Sequence, residues 1–402
     1  MKKSLIILTM LFMLMPLLSG CWNQKELTDL AFVMALGIDK GKDKKFKLSF
    51  QLVNPGNVTT GQGSGGGQGL PIAVYRSSGD TITEAARNAT KKVSRRLYYA
   101  HTNVVVVSEK IAKKDLLYIL DALDRDPEFR TTTEMVIARG CTAEDIVTTL
   151  TILDRLPVNK ITKQLKASQA MLGENMSVSI DDYLSALVSK GKQPFLNGYS
   201  LIGIKSKARK AENLQKTTTD AFLASNGLAI FHYGKFRGWV DDDKARGIVW
   251  IQNKLKSTDI VIPWKENKKA LVVAPIRSIT KVSAHFVNQK PEINIAINSE
   301  GWVSEANTVI DLNNPVIIEK IDKLVEKEIS KQILDSVHAA QKLKCDIFGF
   351  GDKVHITNPI LWKKIQGNWD EEFASLKVNV TTDFYVRREG IRTLPFWSSM
   401  GK

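Results

Sequence analysis

The sequence contains few of the residues on which metal centres and disulfide frameworks depend. Its 402 residues include three cysteines and five histidines. Three cysteines exclude a disulfide scaffold and argue against a multi-cysteine zinc fold. No metal-binding spacing such as His-Glu-x-x-His occurs among the histidines, which are His101, His232, His285, His338 and His355. No uninterrupted apolar run reaches about 18 residues, which excludes a protein with several membrane-spanning helices.

Short motifs of common enzymes are also missing. There is no Gly-x-Ser-x-Gly nucleophile elbow. Seven of the 14 residues at 56–69 are glycine, but no Gly-Lys-Ser/Thr follows, so a phosphate-binding loop is excluded and an unstructured loop is predicted. Gly349 and Gly351 form half of a dinucleotide-binding fingerprint after a long predicted helix, which favours a tight turn. We therefore predict no enzyme activity, no cofactor and no metal.

The N-terminus carries the first specific signal. Lys2 and Lys3 precede a 14-residue run, 5–18, that is apolar except for Thr9. This pattern is typical of a signal peptide and is too short for a comfortable membrane span. The run ends in Leu18-Ser19-Gly20-Cys21, which resembles a lipobox, so we predict a signal peptide over 1–20 and a diacylglyceryl group on Cys21. The alternative is an ordinary secretory signal with an incidental cysteine.

The charge of the chain fits attachment to a membrane surface. Lys plus Arg number 57 and Asp plus Glu 42, a net charge of +15. Two acyl chains anchor a protein firmly where one does not, and a basic protein suits anionic headgroups. Export argues against nucleic acid as a partner. Most of the charge is scattered lysine, which is typical of a solvated surface.

The order of predicted elements indicates a mixed α/β (α+β) fold in three domains. Apolar runs and period-two alternation predict strands, and 3.6-residue periodicity predicts helices between them. The domains are predicted at 21–150, at 151–216, which is smaller and helix-rich, and at 217–395. Asn314 or Asn313 is expected to cap a long amphipathic helix in the third domain, and a Trp-bearing helix is expected over 358–373. The polar stretch 205–219 is predicted to be a linker or an exposed hairpin.

Two polar clusters in the first domain are candidates for docking a partner. They comprise Arg95, Arg96 and His101, and then Arg125, Asp126 and Arg130. The first interpretation is an exposed ion-pair network that adds little stability. The second is a docking surface. Cys141 and Cys345 also leave two alternatives, a disulfide between them or two free thiols.

Several segments together resemble the C subunits of spore germinant receptors, the Ger(x)C family. The opening Cys21-Trp22-Asn23-Gln24-Lys25-Glu26-Leu27, followed by Leu36-Gly37-Ile38-Asp39, is the most specific of them. Asn23 departs from the aspartate that many members carry. The resemblance covers nearly the whole chain after residue 20, and the remaining matching segments are 75–79, 94–102, 125–130, 348–351, Trp362 and Trp369.

The resemblance implies a lipoprotein on the extracytoplasmic face of the inner spore membrane. It implies three mixed α/β domains, no enzyme activity, and assembly with two integral-membrane subunits, A and B, into a nutrient germinant receptor. On this basis the two polar clusters are expected to contact each other or a partner subunit. Two alternative functions stay open, a solute-binding lipoprotein of a nutrient importer and a lipid-anchored hydrolase. The germinant, the stoichiometry and any direct contact with the germinant stay open.

Overall fold

The computed structural model describes residues 26–58 and 69–387, without the side chains of 242 and 243. Two predictions fall outside these residues, the signal peptide with lipidated Cys21 and most of the glycine-rich loop. The described residues form two β-sheets with helices packed on them. The predicted mixed α/β fold is therefore confirmed.

The larger sheet contains nine strands within the described residues and follows the order β3-β2-β1-β5-β6-β7-β8-β9, with β4 beside β1. Strands β1, β5, β6 and β7 run parallel, and the strands at both edges are antiparallel. The strands are β1 (Leu30–Lys40), β2 (Phe46–Val53), β3 (Ile72–Gly79), β4 (Arg96–Tyr98), β5 (Val104–Ser108), β6 (Glu134–Ala138), β7 (Phe195–Gly203), β8 (Ala221–His232) and β9 (Lys235–Val240).

The parallel centre of this sheet is buried on both faces. Val104 to Val107 of β5 are all fully buried, as expected for β-branched residues in a parallel strand covered on two sides. One face carries α2 (Ile82–Asn88), α3 (Glu109–Ala112), α4 (Leu116–Asp124) and α7 (Ile180–Val188). The other face carries α5 (Ala143–Thr148) and α6 (Pro157–Met171). A four-residue helix, α1 (Pro55–Val58), ends the first described range.

Local capping chemistry sets where several of these helices begin. Thr142 and Asp145 form a capping box at the start of α5, in which each side chain accepts a backbone N–H. Ser179 and Asp182 form the same arrangement at α7. Helix α2 begins after Thr81, whose side chain caps it by accepting the Glu84 amide.

The smaller sheet has the order β10-β11-β12-β13, with β12 and β13 parallel. Its strands are β10 (Ile260–Trp264), β11 (Asn267–Val287), β12 (Lys290–Ala306) and β13 (Lys377–Val386). The predicted long helix, α10 (Pro315–Lys342), connects β12 to β13, and Asn314 caps it with a 3.0 Å bond from the Val316 amide. Its buried face includes Ile321, Val325, Ile329, Ile333, Val337 and Ala340. The remaining helices are α8 (Lys205–Ala208), α9 (Asp242–Ile251), α11 (Phe350–Thr357), α12 (Pro359–Ile365) and α13 (Trp369–Ala374).

Two local predictions were wrong. The stretch 205–219 is not a free linker, because α8 and a 3-10 helix at Ala211–Leu214 pack on the sheet. Buried Asn213 holds it by donating to the carbonyls of Leu150 and Ala221. The single helix expected over 358–373 is instead α12, a 3-10 turn and α13. The three-domain division stays a prediction. Strands β6, β7 and β8 come from the three predicted domains, and they pair with one another in one sheet.

A buried carboxylate organises the turn at 348–351. The Asp346 side chain accepts backbone N–H bonds from 348, 349, 350 and 351 at 2.8–3.2 Å and the Trp369 indole N–H at 3.1 Å. Gly349 has φ +79°, which confirms the predicted tight turn. A Cβ on Gly351 would lie 2.6 Å from the Gly191 Cα. This turn therefore packs directly against the segment that leads into β7.

Asp346→Asn is expected to lower the free energy of unfolding by about 3 kcal/mol, because an amide turns N–H groups toward buried N–H donors. Burial raises the pKa of Asp346 to about 6, above its ordinary value of 3.8. The folded chain therefore binds this proton before the unfolded chain does as the pH falls. The stability difference between the wild type and the variant should grow as the pH falls from about 6 to about 4. Urea unfolding at several pH values measures it.

Exposed Asp335 on α10 gives the control, and Asp335→Asn should change stability by less than about 0.5 kcal/mol at every pH. A stability difference for Asp346→Asn that does not vary with pH would contradict the assigned pKa.

Candidate docking surface

The first polar cluster lies on β4 and the turn after it. Strand β4 runs parallel to the first residues of β1, with Arg96 opposite Leu30 and Tyr98 opposite Phe32. The His101 ring stands edge-on to Phe32 at 5.2 Å and lies 5.6 Å from Tyr98. Three half-buried or exposed rings therefore sit together beside the N-terminal end of β1.

The second polar cluster forms a turn directly after α4. The Asp126 side chain accepts the Glu128 amide at 2.9 Å, and its carbonyl accepts the Phe129 amide at 3.0 Å. These bonds close an Asx-type turn with Pro127 inside it. Phe129 points into the core and is 9% exposed. Asp126 thus shapes the turn, and Glu128 is held at its surface.

The structure brings the two clusters into contact through one ion pair. An Arg96 guanidinium nitrogen lies 2.5 Å from a Glu128 carboxylate oxygen. Glu128 was missing from the sequence-based set, although it lies inside the matching segment 125–130. Arg125 instead pairs with Asp121, one helical turn earlier, at 2.9 Å. Arg95 and Arg130 are exposed.

A cavity of about 400 Å³ opens between α2, β4 and the Asp126 turn. We call it the Arg96 pocket. Its floor is apolar, and its rim carries Arg87, Arg96, Asp126 and Glu128. Burial raises the pKa of Tyr99 in its wall, and the negative charges of Asp126 and Glu128 raise it further. No single segment of sequence indicates this pocket, because its floor is built from distant residues, among them Leu36, Leu48, Phe50, Ile82, Leu97 and Phe129.

The Gly37-Ile38-Asp39 segment has a structural role. The Asp39 carboxylate accepts the amides of Ala143 and Glu144 at 2.9 and 2.8 Å. It therefore attaches the first turn of α5 to the end of β1. Burial raises the pKa of Asp39, and the two amide bonds oppose that effect.

The described ranges, 26–58 and 69–387, contain no group of three or more His, Cys, Asp or Glu side chains able to hold a metal ion. In the same ranges, no helix combines the length and the apolar character needed to cross a membrane. Cys141 and Cys345 are both free thiols. Burial raises the pKa of Cys345 to about 12 and also raises that of Cys141, so both favour the protonated form at neutral pH.

Comparison with known proteins identifies the family. Residues 23–201 match the family model described as "Spore germination protein N-terminal domain", and residues 226–390 match "Spore germination B3/ GerAC like, C-terminal". The chain belongs to the Ger(x)C family of spore germination proteins. The resemblance read from the sequence is therefore confirmed.

Individual relatives and one solved structure agree with this assignment. "Spore germination protein KC" of Bacillus subtilis (strain 168) is 39% identical over 98% of both chains. "Spore germination protein B3" of the same organism is 24% identical over 94% of this chain and 96% of its own. The crystal structure of the GerBC protein aligns with a TM-score of 0.51 at 18% identity, covering 90% of this chain and 99% of that one. That likeness shows that this Ger(x)C chain shares the GerBC fold.

Arg96→Ala is expected to lower the free energy of unfolding of the isolated protein by less than about 1 kcal/mol, since the Arg96 side chain is 54% exposed and water screens its ion pair. Urea unfolding at low and high salt measures this, and the small effect should shrink further in high salt. A loss of more than about 2 kcal/mol would show that the Arg96–Glu128 pair supports the fold.

Proposed function

We propose that this protein is the lipid-anchored C subunit of a nutrient germinant receptor. Cys21 carries the anchor, and the folded chain stands on the extracytoplasmic face of the inner spore membrane. Its role is to assemble with the integral-membrane A and B subunits and to support their function in germination, without an enzyme activity of its own. Membership in the Ger(x)C family supports the connection with spore germination.

The observation that carries the docking proposal is the pairing of Leu30 with Arg96. Leu30 stands nine positions after Cys21 in the sequence, so the tether reaches at most about 30 Å. Whatever the path of the tether, the start of β1 stays within that distance of the lipid. Arg96 and the Phe32–Tyr98–His101 rings lie at that end of β1, and the floor of the Arg96 pocket extends from there to Leu36 and Leu48. The Arg96 side of the pocket is therefore within reach of membrane-embedded partners. Trp22, next to the lipidated cysteine, suits the interface between headgroups and acyl chains.

The composition of this surface fits a protein partner. An apolar floor with a few charges of both signs on the rim is how the centre of a protein interface is usually built. The volume of about 400 Å³ is large enough to admit a large side chain of a partner. We propose that an apolar side chain of the A or B subunit enters the Arg96 pocket and that Arg96 and Glu128 orient it.

Exchanging the charges of the Arg96–Glu128 pair distinguishes docking of a partner subunit from stabilisation of the first domain. Arg96→Glu alone is expected to abolish co-purification of the A and B subunits from spore membranes, since three acidic groups would then stand together at the pocket rim. Arg96→Glu combined with Glu128→Arg restores an ion pair within the chain and should restore its thermal stability. Assembly should stay defective in this double variant, because the partner meets the charges in exchanged positions.

Lys344 and Glu371 provide the matched control, as they form another exposed pair at 2.5 Å. The double variant Lys344→Glu with Glu371→Lys should assemble normally. If the Arg96/Glu128 swap restores assembly together with stability, the pair only braces the first domain and the docking proposal fails.

The receptor role is tested by deleting the gene in its spore-forming host and measuring germination against a panel of nutrients, with a Cys21→Ala strain alongside. Loss of the response to one nutrient class, with normal vegetative growth, is expected in the deletion strain. The Cys21→Ala strain should show a matching defect, because the lipid anchor would be absent. Unchanged germination with impaired uptake of a nutrient would favour the solute-binding lipoprotein of an importer instead.

A further inference from the structure

A second cavity, of about 730 Å³, lies at the other end of β1. The cavity lies where three parallel strands end. Its lining includes Asp39 and Lys40 of β1, Ser108 of β5 and Gly140 just beyond β6. The helices that follow β5 and β6 pack on opposite faces of the sheet. In open α/β sheets the loops diverge at such a point and leave a crevice outside the carboxyl ends of the strands, which is where ligands bind.

Positive charge predominates in the lining of this crevice. Three acidic residues line it, and each has partners in the described structure. Asp39 accepts two amides of α5, Glu109 pairs with Lys113 at 2.7 Å, and Glu144 pairs with both Lys47 and Arg76. Against these three stand six lysines, namely Lys40, Lys42, Lys47, Lys110, Lys113 and Lys205.

Three of these lysines are left with their charge uncompensated. Within residues 26–58 and 69–387, Lys40, Lys42 and Lys110 have no acidic partner, and all three are exposed. Lys40 is the last residue of β1, Lys42 lies in the β1–β2 turn, and Lys110 belongs to α3, which follows β5. Two separate segments of the chain therefore bring unpaired ammonium groups to one crevice, where their mutual repulsion favours a bound anion.

Close contacts also shape the backbone around the crevice. A Cβ on Gly41 would lie 2.1 Å from the Lys44 carbonyl oxygen, so the β1–β2 turn closes only with glycine there. Ser108 is 5% exposed, and its hydroxyl has no hydrogen-bond partner among the described residues. A hydroxyl left unbonded is costly unless a ligand or solvent group bonds to it.

From this arrangement we propose that the crevice, which we call the Lys40 pocket, binds a phosphate-bearing anion. Lysine binds phosphate as a point charge, and three unpaired lysines suit an anion with more than one negative charge. Strand β1 has 11 residues, so the pocket lies about 33 Å from Leu30 along the strand. The proposal does not depend on docking at the Arg96 pocket.

The test uses the full-length chain in neutral detergent and isothermal titration with inorganic phosphate. The wild type should bind phosphate, and binding should weaken as sodium chloride rises. The triple variant Lys40→Gln/Lys42→Gln/Lys110→Gln should bind at least about tenfold more weakly. Its thermal unfolding without phosphate should match the wild type, because none of the three side chains has an acidic partner to lose among the described residues.

The control variant Lys268→Gln/Lys281→Gln/Lys290→Gln removes the same charge from exposed positions of the smaller sheet. It should keep the wild-type affinity. Equal losses in the two triple variants, or no binding of any phosphate compound by the wild type, would overturn the proposal.

Two further titrations identify the source of the phosphate group. Glycerol phosphate represents a free phosphate ester, and short-chain phosphatidylglycerol in the same detergent represents a lipid headgroup. Lysine-dependent binding of inorganic phosphate or glycerol phosphate supports a solute from the surrounding solution. Lysine-dependent binding of phosphatidylglycerol alone supports a headgroup as the ligand and rejects the solute.

Discussion

Strand β1 is the constraint on which the rest of the larger sheet depends, because it pairs with three other strands. Strand β2 covers one edge, and β4 and β5 cover the other edge in succession. Between β4 and β5 the chain continues along the same edge of β1, where the Thr102 hydroxyl and the Asn103 amide donate to the carbonyls of Val33 and Met34. His101 lies just before this connection, and its ring contacts Phe32. The position of the candidate docking residues therefore follows from how β1 completes the backbone hydrogen bonds along this edge.

The second constraint is the buried Asp346 carboxylate, which links the two sheets. Its side chain gathers the amides of the 348–351 turn, while its own carbonyl accepts the Gln193 amide at 2.6 Å. Ser189 adds a bond to Asp352 in the next helix at 2.8 Å. A continuous cluster of buried apolar residues runs from the first sheet through α9 and α10 to β12. The smaller sheet is accordingly packed on the larger one through core contacts, and not through a flexible connection.

Periodicity predicts most of the elements but little of what holds the candidate site together. The buried strands β1, β2, β5 and β6, the helix α10 and the capping box at Thr142 follow from local pattern, because apolar spacing and caps act over a few residues. The prediction for 205–219 was wrong because polar composition does not reveal the role of Asn213. The side-chain amide of this residue donates hydrogen bonds to backbone carbonyls outside the stretch. The Arg96–Glu128 pair is of the same kind, since 32 residues separate its members. Both sets of contacts are settled by tertiary packing, which a single sequence does not display.

The two ends of β1 differ in how their charges are compensated, and this difference decides what each end suits. At the Arg96 pocket, cation and carboxylate neutralise each other over an apolar floor, so a partner gains mainly by filling the floor. At the Lys40 pocket, the acidic residues are already engaged by amides and other cations, and three lysines remain uncompensated. Net charge alone does not distinguish these ends, because both contribute to the same total of +15. The distinction depends on which groups the carboxylates already pair with at each end. It favours a protein side chain as the ligand of the Arg96 pocket and a small anion as the ligand of the Lys40 pocket.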